Sequence, residues 1–186
     1  MKNQKVIKAL QAFANRVPEV NRQCNRLVYD TNTNKYYFVN QHLIARFEPS
    51  VFDNEFNFKK SLACEESHIT DYSRFFKVYD NSIIRNNRVL LEKIRLLEHN
   101  PRQFDTEKSW YRYIDFDIYL HEFAIAHKNT KIVKFIRVNS NYIKTALRII
   151  SLLGDENITI HFNNNGIETI CIESDKVTFE IAGVWY

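Results

Sequence analysis

The sequence predicts an α+β fold built from repeated units, each a helix followed by antiparallel strands. The units begin near Lys5, Arg88 and Tyr142. Each opens with about three turns of amphipathic helix and continues into short extended segments that polar turns separate. Because one such unit cannot cover its own apolar face, neighbouring units are expected to pack side by side. The repetition therefore predicts the architecture before any single residue does.

Composition limits the possible classes of protein. The 186-residue chain is long enough to bury a core without disulfides or metals, and its 45% hydrophobic and 14% aromatic content is typical of a folded protein. A formal net charge of +4 permits contact with nucleic acid without demanding it. Cys24, Cys64 and Cys171 are odd in number and widely spaced, so neither a disulfide framework nor a zinc site is expected. We expect no cofactor.

The compartment is predicted from two further patterns. The N-terminus is a charged amphipathic stretch without the apolar core and cleavage site of a secretory signal. No window approaches the ~18 consecutive apolar residues of a membrane span. We therefore expect a cytoplasmic protein without a membrane partner.

The first unit begins with a predicted helix at Asn3–Arg16, whose apolar residues recur at helical spacing. The polar turn Thr31–Asn34 joins the first two predicted strands, because Asn and Asp side chains can bond their own backbone. The strands of this unit are predicted at Arg26–Asp30, Tyr36–Val39 and Leu43–Phe47.

Residues 49–84 follow without a sustained period, although several Phe residues occur among the charges. So long a connection is usually functional, or is ordered by its own aromatic side chains. We expect an irregular loop with one short strand near Lys77–Tyr79. The predicted division places residues 1–84 in a first unit with this loop, and residues 85–186 in a second body that contains the other two units.

The second and third units carry clearer boundary signals. Asn86 is a predicted helix cap, and the second helix is expected to end at His99–Pro101. The third helix follows the cap sequence Asn139–Asn141 and is expected to stop at Gly154. Strands are predicted at Tyr111–Asp115, Leu120–His127, Val133–Val138, Ile158–Phe162, Glu168–Ile172 and Val177–Ile181.

These residues resemble the bacterial DNA polymerase sliding clamp, the beta subunit. The helix Tyr142–Ile150, its stop at Gly154 and the hairpins that run to the C-terminus look like the last half-domain of that clamp. Val6–Ala14 is similar to the opening helix of the clamp, and Val39–Phe47 is similar to one of its strand pairs. Short phage-encoded clamp relatives are similar too. The resemblance implies a non-enzymatic, DNA-clamp-like protein from a phage or mobile element.

Clamps of this family place helices toward DNA and sheets outward, with two helix-plus-strands units in each domain. Three units are half the number in a full bacterial protomer, so a shortened or repurposed clamp and a working clamp are both consistent with the sequence. The resemblance implies as partners duplex DNA, held weakly and without sequence preference, or a replication or defence protein. A homo-oligomer is also implied, since three units alone cannot surround DNA.

The candidate DNA-binding residues are basic side chains that recur on all three predicted helices. Such residues lie near phosphates in a clamp without reading bases. The alternative is that these are the ordinary charges of a solvated helix face in a soluble protein. Glu92 and Glu98 also lower the net positive charge of the second helix. The candidates are Lys5, Lys8, Arg88, Lys93, Arg95, Lys144 and Arg148.

A second candidate site is implied at the C-terminus. The clamp family binds short partner peptides in an apolar pocket formed partly by its last residues, which correspond here to Val184, Trp185 and Tyr186. Trp and Tyr are favoured anchors at protein interfaces. The alternative is that Trp185 covers the core from an edge strand.

A metal-dependent nuclease is the remaining alternative. Asp115 and Asp117 lie two apart on one face of a predicted strand, and grouped carboxylates can hold a catalytic metal. Acidic residues that alternate along an exposed strand give the same pattern. His121 and His127 would lie ~20 Å apart on a strand, too far to share an ion. We therefore predict no catalytic residue and no metal site.

Overall fold

The computed structural model describes residues 2–16, 26–40, 42–52, 64–67, 72–99, 113–117, 135–162 and 169–182. The helices in these ranges are α1 (Lys2–Arg16), α2 (Asn87–His99) and α3 (Ser140–Leu153). The strands are β1 (Arg26–Asp30), β2 (Lys35–Val39), β3 (Leu43–Phe47), β4 (Cys64–Ser67), β5 (Asn81–Asn86), β6 (Tyr113–Asp117), β7 (Phe135–Asn139), β8 (Asn157–Phe162), β9 (Thr169–Glu173) and β10 (Val177–Ala182). The predicted α+β class, with units of helix and antiparallel strands, is confirmed.

Eight of the described strands form one sheet in the order β4-β1-β2-β3-β10-β9-β8-β5. Its neighbours are antiparallel except β1 and β4, which run parallel. The first and third units meet in the middle, where Phe47 pairs with Val177 and Leu43 pairs with Ile181. β6 and β7 pair separately as a two-stranded antiparallel sheet.

Strand alternation gives the large sheet one face that is apolar across its central strands, called here the inner face. On β10, for example, Val177, Phe179 and Ile181 point inward and are buried. The helices cover this face with their own apolar stripes, and Phe13 of α1 contacts the rings of Phe38 on β2 and Tyr142 on α3. Helices and sheet therefore share one continuous core.

α3 is the central helix of the layer, since it packs against α1 on one side and against α2 on the other. A buried amide joins α2 to α3. The side-chain nitrogen of Asn87 donates to the carbonyl of Leu147 at 3.1 Å and to the hydroxyl of Ser151 at 2.8 Å. This contact fixes the register of the two helices.

Two predicted helix boundaries are confirmed in atomic detail. The side-chain oxygen of Asn86 accepts the backbone N–H of Val89 at 3.1 Å, which is the N-cap bond expected of an Asn at this position. Gly154 ends α3 with a φ of 84°, a left-handed conformation that favours glycine. The Lys176 ammonium then donates to the carbonyl of Leu153 at 2.9 Å, satisfying one of the last carbonyls of the helix.

The segment 49–84 differs from its prediction. The short strand expected at Lys77–Tyr79 was wrong, because those residues have no regular structure and the strand begins at Asn81. The segment also supplies β4, which pairs along β1. β5 in turn pairs with β8. The β1–β4 and β5–β8 pairings both join residues distant in sequence, so no local period could predict them. The predicted strand Tyr111–Asp115 is observed two residues later, as β6.

Some predictions are not decided by the described residues. The predicted strand Leu120–His127 lies outside them. The division at residues 84 and 85 stays a prediction, and the β3–β10 and β5–β8 pairings both cross it. None of the described helices is long and apolar enough to pass through a membrane.

Candidate nucleic-acid interface

Only a narrow stripe of the central helix α3 is exposed to solvent, because the sheet, α1 and α2 cover its other sides. Arg148 is exposed on this stripe, and Lys144 one turn earlier is half-buried. The helix contains no acidic residue in its sequence SNYIKTALRIISLL. The residues of the helix therefore add only positive charge to its solvent side.

α1 repeats the same arrangement beside α3. Lys5 and Lys8 are exposed, while Val6, Ile7 and Leu10 are buried in the core. The sequence KNQKVIKALQAFANR also lacks acidic residues. Since α1 and α3 cover the same face of the sheet, their exposed sides both point away from it.

α2 is more mixed in charge. Arg88 is exposed, and its guanidinium nitrogen lies 3.5 Å from the Glu92 carboxylate one turn along the helix. Lys93 and Arg95 are on the same helix, but their side chains lie outside what the structure describes. The contribution of α2 to a basic surface is therefore smaller than that of α1 or α3.

The three helices concentrate the positive charge of the chain. Together they carry nine Lys or Arg residues and two Glu residues, which gives a net charge of +7. The whole chain has a net charge of only +4, so everything outside the helices is net negative at −3. The three helices therefore offer a polyanion a more favourable net charge than the rest of the sequence does.

The opposite face of the sheet, called here the outer face, carries a buried polar cluster that the sequence analysis did not single out. The Tyr79 hydroxyl donates to the Glu180 carboxylate and lies 2.8 Å from the Thr169 hydroxyl. Burial raises the pKa of Glu180, and its bond to Tyr79 offsets part of that rise. Period-two alternation places Glu180 on the outer face, but only the folded chain brings Tyr79 over it.

The cysteine beside this cluster is not poised as a nucleophile. Burial raises the pKa of Cys171 far above its usual range, and the neighbouring Glu180 adds to the rise. A thiol kept protonated in this way is a poor nucleophile and a poor metal ligand. His161 pairs with Glu173 at 2.7 Å on the adjacent strands. Within the described residues, no group of three or more His, Cys, Asp or Glu side chains could hold a metal ion.

The alternative nuclease residues lie on the small sheet. Backbone pairing sets Asp115 opposite Arg137 and Asp117 opposite Phe135. Their side chains lie outside what the structure describes, so the nuclease hypothesis stays a prediction. Val184, Trp185 and Tyr186 also lie outside the described residues, and the peptide site predicted there stays a prediction as well.

No protein-family model matches the sequence, and no curated protein matches it significantly. Solved structures do. The fold is similar to the DNA polymerase III subunit beta of Borrelia burgdorferi, with a TM-score of 0.57 and 13% identity over 100% of this chain and 63% of that one. It is similar to the DNA polymerase beta subunit of Streptococcus pyogenes, with a TM-score of 0.54 and 10% identity over 97% of this chain and 64% of that one.

A third neighbour is the Helicobacter pylori beta clamp, solved with a bound DNA ligase peptide. Its TM-score is 0.52, with 10% identity over 96% of this chain and 63% of that one. The fold is therefore that of the bacterial sliding clamps, and the resemblance predicted from the sequence is confirmed. The chain spans somewhat under two thirds of the length of these clamps.

Proposed function

We propose that this protein is a non-enzymatic, clamp-like component of DNA replication that binds duplex DNA weakly through its helix layer. The observation that carries the proposal is the separation of charge within a clamp fold, with +7 on the helices against +4 for the whole chain. The basic residues predicted from the sequence are the proposed contacts: Lys5, Lys8, Arg88, Lys93, Arg95, Lys144 and Arg148.

The chemistry of these contacts predicts weak, sequence-independent binding. Lys and Arg near phosphates release condensed counterions, so the logarithm of the binding constant falls by about 0.9 per neutralised phosphate for each tenfold rise in salt. Flexible side chains on the exposed sides of helices offer no rigid pattern of donors toward base edges. A protein that must move along DNA benefits from this lack of preference.

A ring would require several copies of the chain. The described part contains three helices, and the sheet ends in the edge strands β4 and β5. Such an edge can pair with another chain, and Ile84 on β5 is 69% exposed. A homo-oligomer that closes around DNA in the cytoplasm is therefore part of the proposal, as is an origin in a phage or mobile element. Light scattering after size-exclusion chromatography would give the number of copies.

The first experiment measures binding of a fluorescein-labelled 30-base-pair duplex by anisotropy at several salt concentrations. In the double variant Lys5→Gln, Arg148→Gln we expect weaker binding and a salt slope smaller by about 0.9 for each phosphate that is no longer neutralised. The matched control is Arg74→Gln, Lys77→Gln, which removes exposed charges from the outer face. Equal weakening in both variants would contradict a helix-side interface, and binding indifferent to salt would contradict the electrostatic mechanism.

A second experiment separates encirclement from simple attachment. Nicked circular plasmid and the same plasmid after linearisation offer identical phosphates but differ in whether a ring can slide off. If copies of the chain close around DNA, we expect greater retention on the circle after a wash at high salt. Equal retention on both forms would leave a DNA-binding protein that does not encircle its ligand.

A partner protein is the second candidate, because the H. pylori clamp was solved with a DNA ligase peptide. Binding of that peptide, labelled with a fluorophore, would be measured with the wild type and with Trp185→Ala. We expect weaker binding in the variant if Val184, Trp185 and Tyr186 form a peptide site. A host partner recovered from lysate after nuclease treatment would favour an interaction or inhibitor role. Loss of every partner on removing nucleic acid would favour the DNA role.

The nuclease alternative makes a separate prediction. If Asp115 and Asp117 hold a catalytic metal, Mg²⁺-dependent cleavage of DNA should disappear in Asp117→Asn. Cleavage that is absent in the wild type, or unchanged in the variant, would end this alternative.

A further inference from the structure

Residues 72–80 cross the outer face of the sheet as one stretch of chain, called here the strap. Two aromatic contacts hold its first part: the ring of Tyr72 stacks on Tyr37 at 5.3 Å, and the Arg46 guanidinium lies over the ring of Phe76 at 4.7 Å. Tyr72 is buried and Phe76 is half-buried. The strap is therefore anchored by individual side chains pressed onto β2 and β3.

The last anchor of the strap is polar and lies over β9 and β10. Tyr79 donates its hydroxyl to one oxygen of Glu180, and the same hydroxyl lies 2.8 Å from the Thr169 hydroxyl. Glu180 is only 6% exposed. The backbone N–H of Lys77, itself part of the strap, also donates toward this carboxylate. Opening the strap therefore exchanges these hydrogen bonds for hydrogen bonds to water.

The rest of the strap adds little cover. Lys77–Tyr79 has no regular secondary structure, and Val78 is 91% exposed. Phe75 is also exposed. The chain here is thus held by separate contacts rather than by a regular ladder of backbone hydrogen bonds, an arrangement that permits local opening.

A cleft of about 280 Å³ lies between the strap and the sheet. The strap contributes Phe76, Lys77 and Tyr79 to its wall, and the sheet contributes Arg46, Cys171 and Thr178. Cys171 is 6% exposed and stands beside Glu180 on the adjacent strand. Lifting the strap would widen the cleft and expose this thiol further to solvent.

We propose that residues 72–80 form a strap that opens and closes over the outer face, and that the Tyr79–Glu180 hydrogen bond holds the closed form. In the closed form the cleft is narrow and the Cys171 thiol is buried, and in the open form the cleft is wide and the thiol is exposed. Because the strap leads directly into the edge strand β5, its movement changes the surface next to that edge. The proposal stands independently of DNA binding.

The rate at which a thiol reagent modifies Cys171 tests the strap directly. The protein would carry Cys24→Ser and Cys64→Ser, so that N-ethylmaleimide reports one site, and the modified residue would be confirmed by mass spectrometry. In Tyr79→Phe, which keeps the ring and removes the donor, we expect labelling about fivefold faster, the effect of removing one hydrogen bond of about 1 kcal/mol. The matched control Tyr29→Phe removes a hydroxyl that bonds Asn34 at 2.7 Å, and it should not change the rate.

Global unfolding is distinguished by repeating the labelling in low concentrations of urea. Local opening exposes little surface, so its rate should rise far less steeply with urea than the unfolding constant does. A second variant, Phe76→Ala, removes a different anchor and should also accelerate labelling. If Tyr79→Phe leaves the rate unchanged, or if faster labelling follows the global unfolding constant in both variants, the strap does not open as proposed.

Discussion

The two faces of the eight-stranded sheet differ in composition, although adjacent residues of the same strands form them. One row across the inner face is entirely apolar: Leu27, Phe38, Ala45, Phe179, Ile172, Ile160 and Ile83 pair in turn from β1 to β5. The neighbouring row on the outer face is mixed: Val28, Tyr37, Arg46, Thr178, Glu173, Thr159 and Ile84. The helices cover the first row, and the strap covers only part of the second. The inner face therefore carries the main buried core, whereas the outer face carries a small apolar cluster and is covered only in part.

Substitution of Phe179 should have the largest effect on stability. Its side chain is fully buried on the inner face and contacts the ring of Phe47 at 6.1 Å between centroids. Phe179→Ala removes this ring and leaves a cavity, so we expect the free energy of unfolding to fall by about 3–5 kcal/mol, measured by urea denaturation. The matched change on the outer face is Thr178→Ala, the preceding residue, which removes the acceptor of one long hydrogen bond from Arg46 at 3.4 Å. Equal destabilisation at both positions would remove the distinction between the faces.

Asn87 tests the polar contact within the helix layer, which is otherwise packed by apolar groups. Asn87→Ala removes both hydrogen bonds to α3, and we expect the free energy of unfolding to fall by about 1–2 kcal/mol. The loss stays this small because the substitution also removes the buried, unpaired side-chain oxygen of Asn87. A double-mutant cycle with Ser151→Ala would isolate the contact between them. Additive effects would indicate that the two residues do not act together.

Local signals predicted the elements best where the sequence is most periodic. The helix cap at Asn86 and the stop at Gly154 depend on a few neighbouring residues, and both are confirmed. The resemblance to sliding clamps also predicted the fold correctly. By contrast, β4 and β5 form through pairing with β1 and β8, and neither pairing leaves a local pattern in the sequence.

The candidate sites were harder to predict from the sequence than the helices and strands. The basic residues of the helices could be chosen from their recurrence, and the structure describes Lys5, Lys8, Arg88 and Arg148 as exposed, but DNA binding itself stays a prediction. The cluster around Glu180 could not be predicted, because it depends on a tyrosine about 100 residues earlier in the chain. An acidic residue in a largely apolar strand was its only local signal.

The outer face should also respond to pH. Burial raises the pKa of Glu180 above its ordinary value, and the neighbouring Tyr79, Thr169 and Lys77 offset part of that rise. An acid whose pKa is higher in the folded state stabilises that state at low pH, and this contribution disappears as the pH rises through the folded value. Compared with Glu180→Gln, the wild type should therefore lose thermal stability as the pH is raised from about 4.5, the ordinary glutamate value. Parallel curves for the two proteins would contradict this ionisation.

The smallest effect on stability is expected on the exposed side of the helix layer. Arg88 and Glu92 form an i,i+4 pair at 3.5 Å in which both side chains are more than half exposed. Such pairs contribute about 0.5 kcal/mol or less, and the order Arg before Glu is the weaker one. Glu92→Gln should leave the urea midpoint almost unchanged and raise DNA affinity at low salt, since it removes a negative charge from the basic layer. The matched control is Glu48→Gln, which removes one negative charge at a position outside the three helices. Glu48 is the ion-pair partner of Lys35. If both variants bind DNA more tightly to the same extent, net charge rather than the helix layer determines binding.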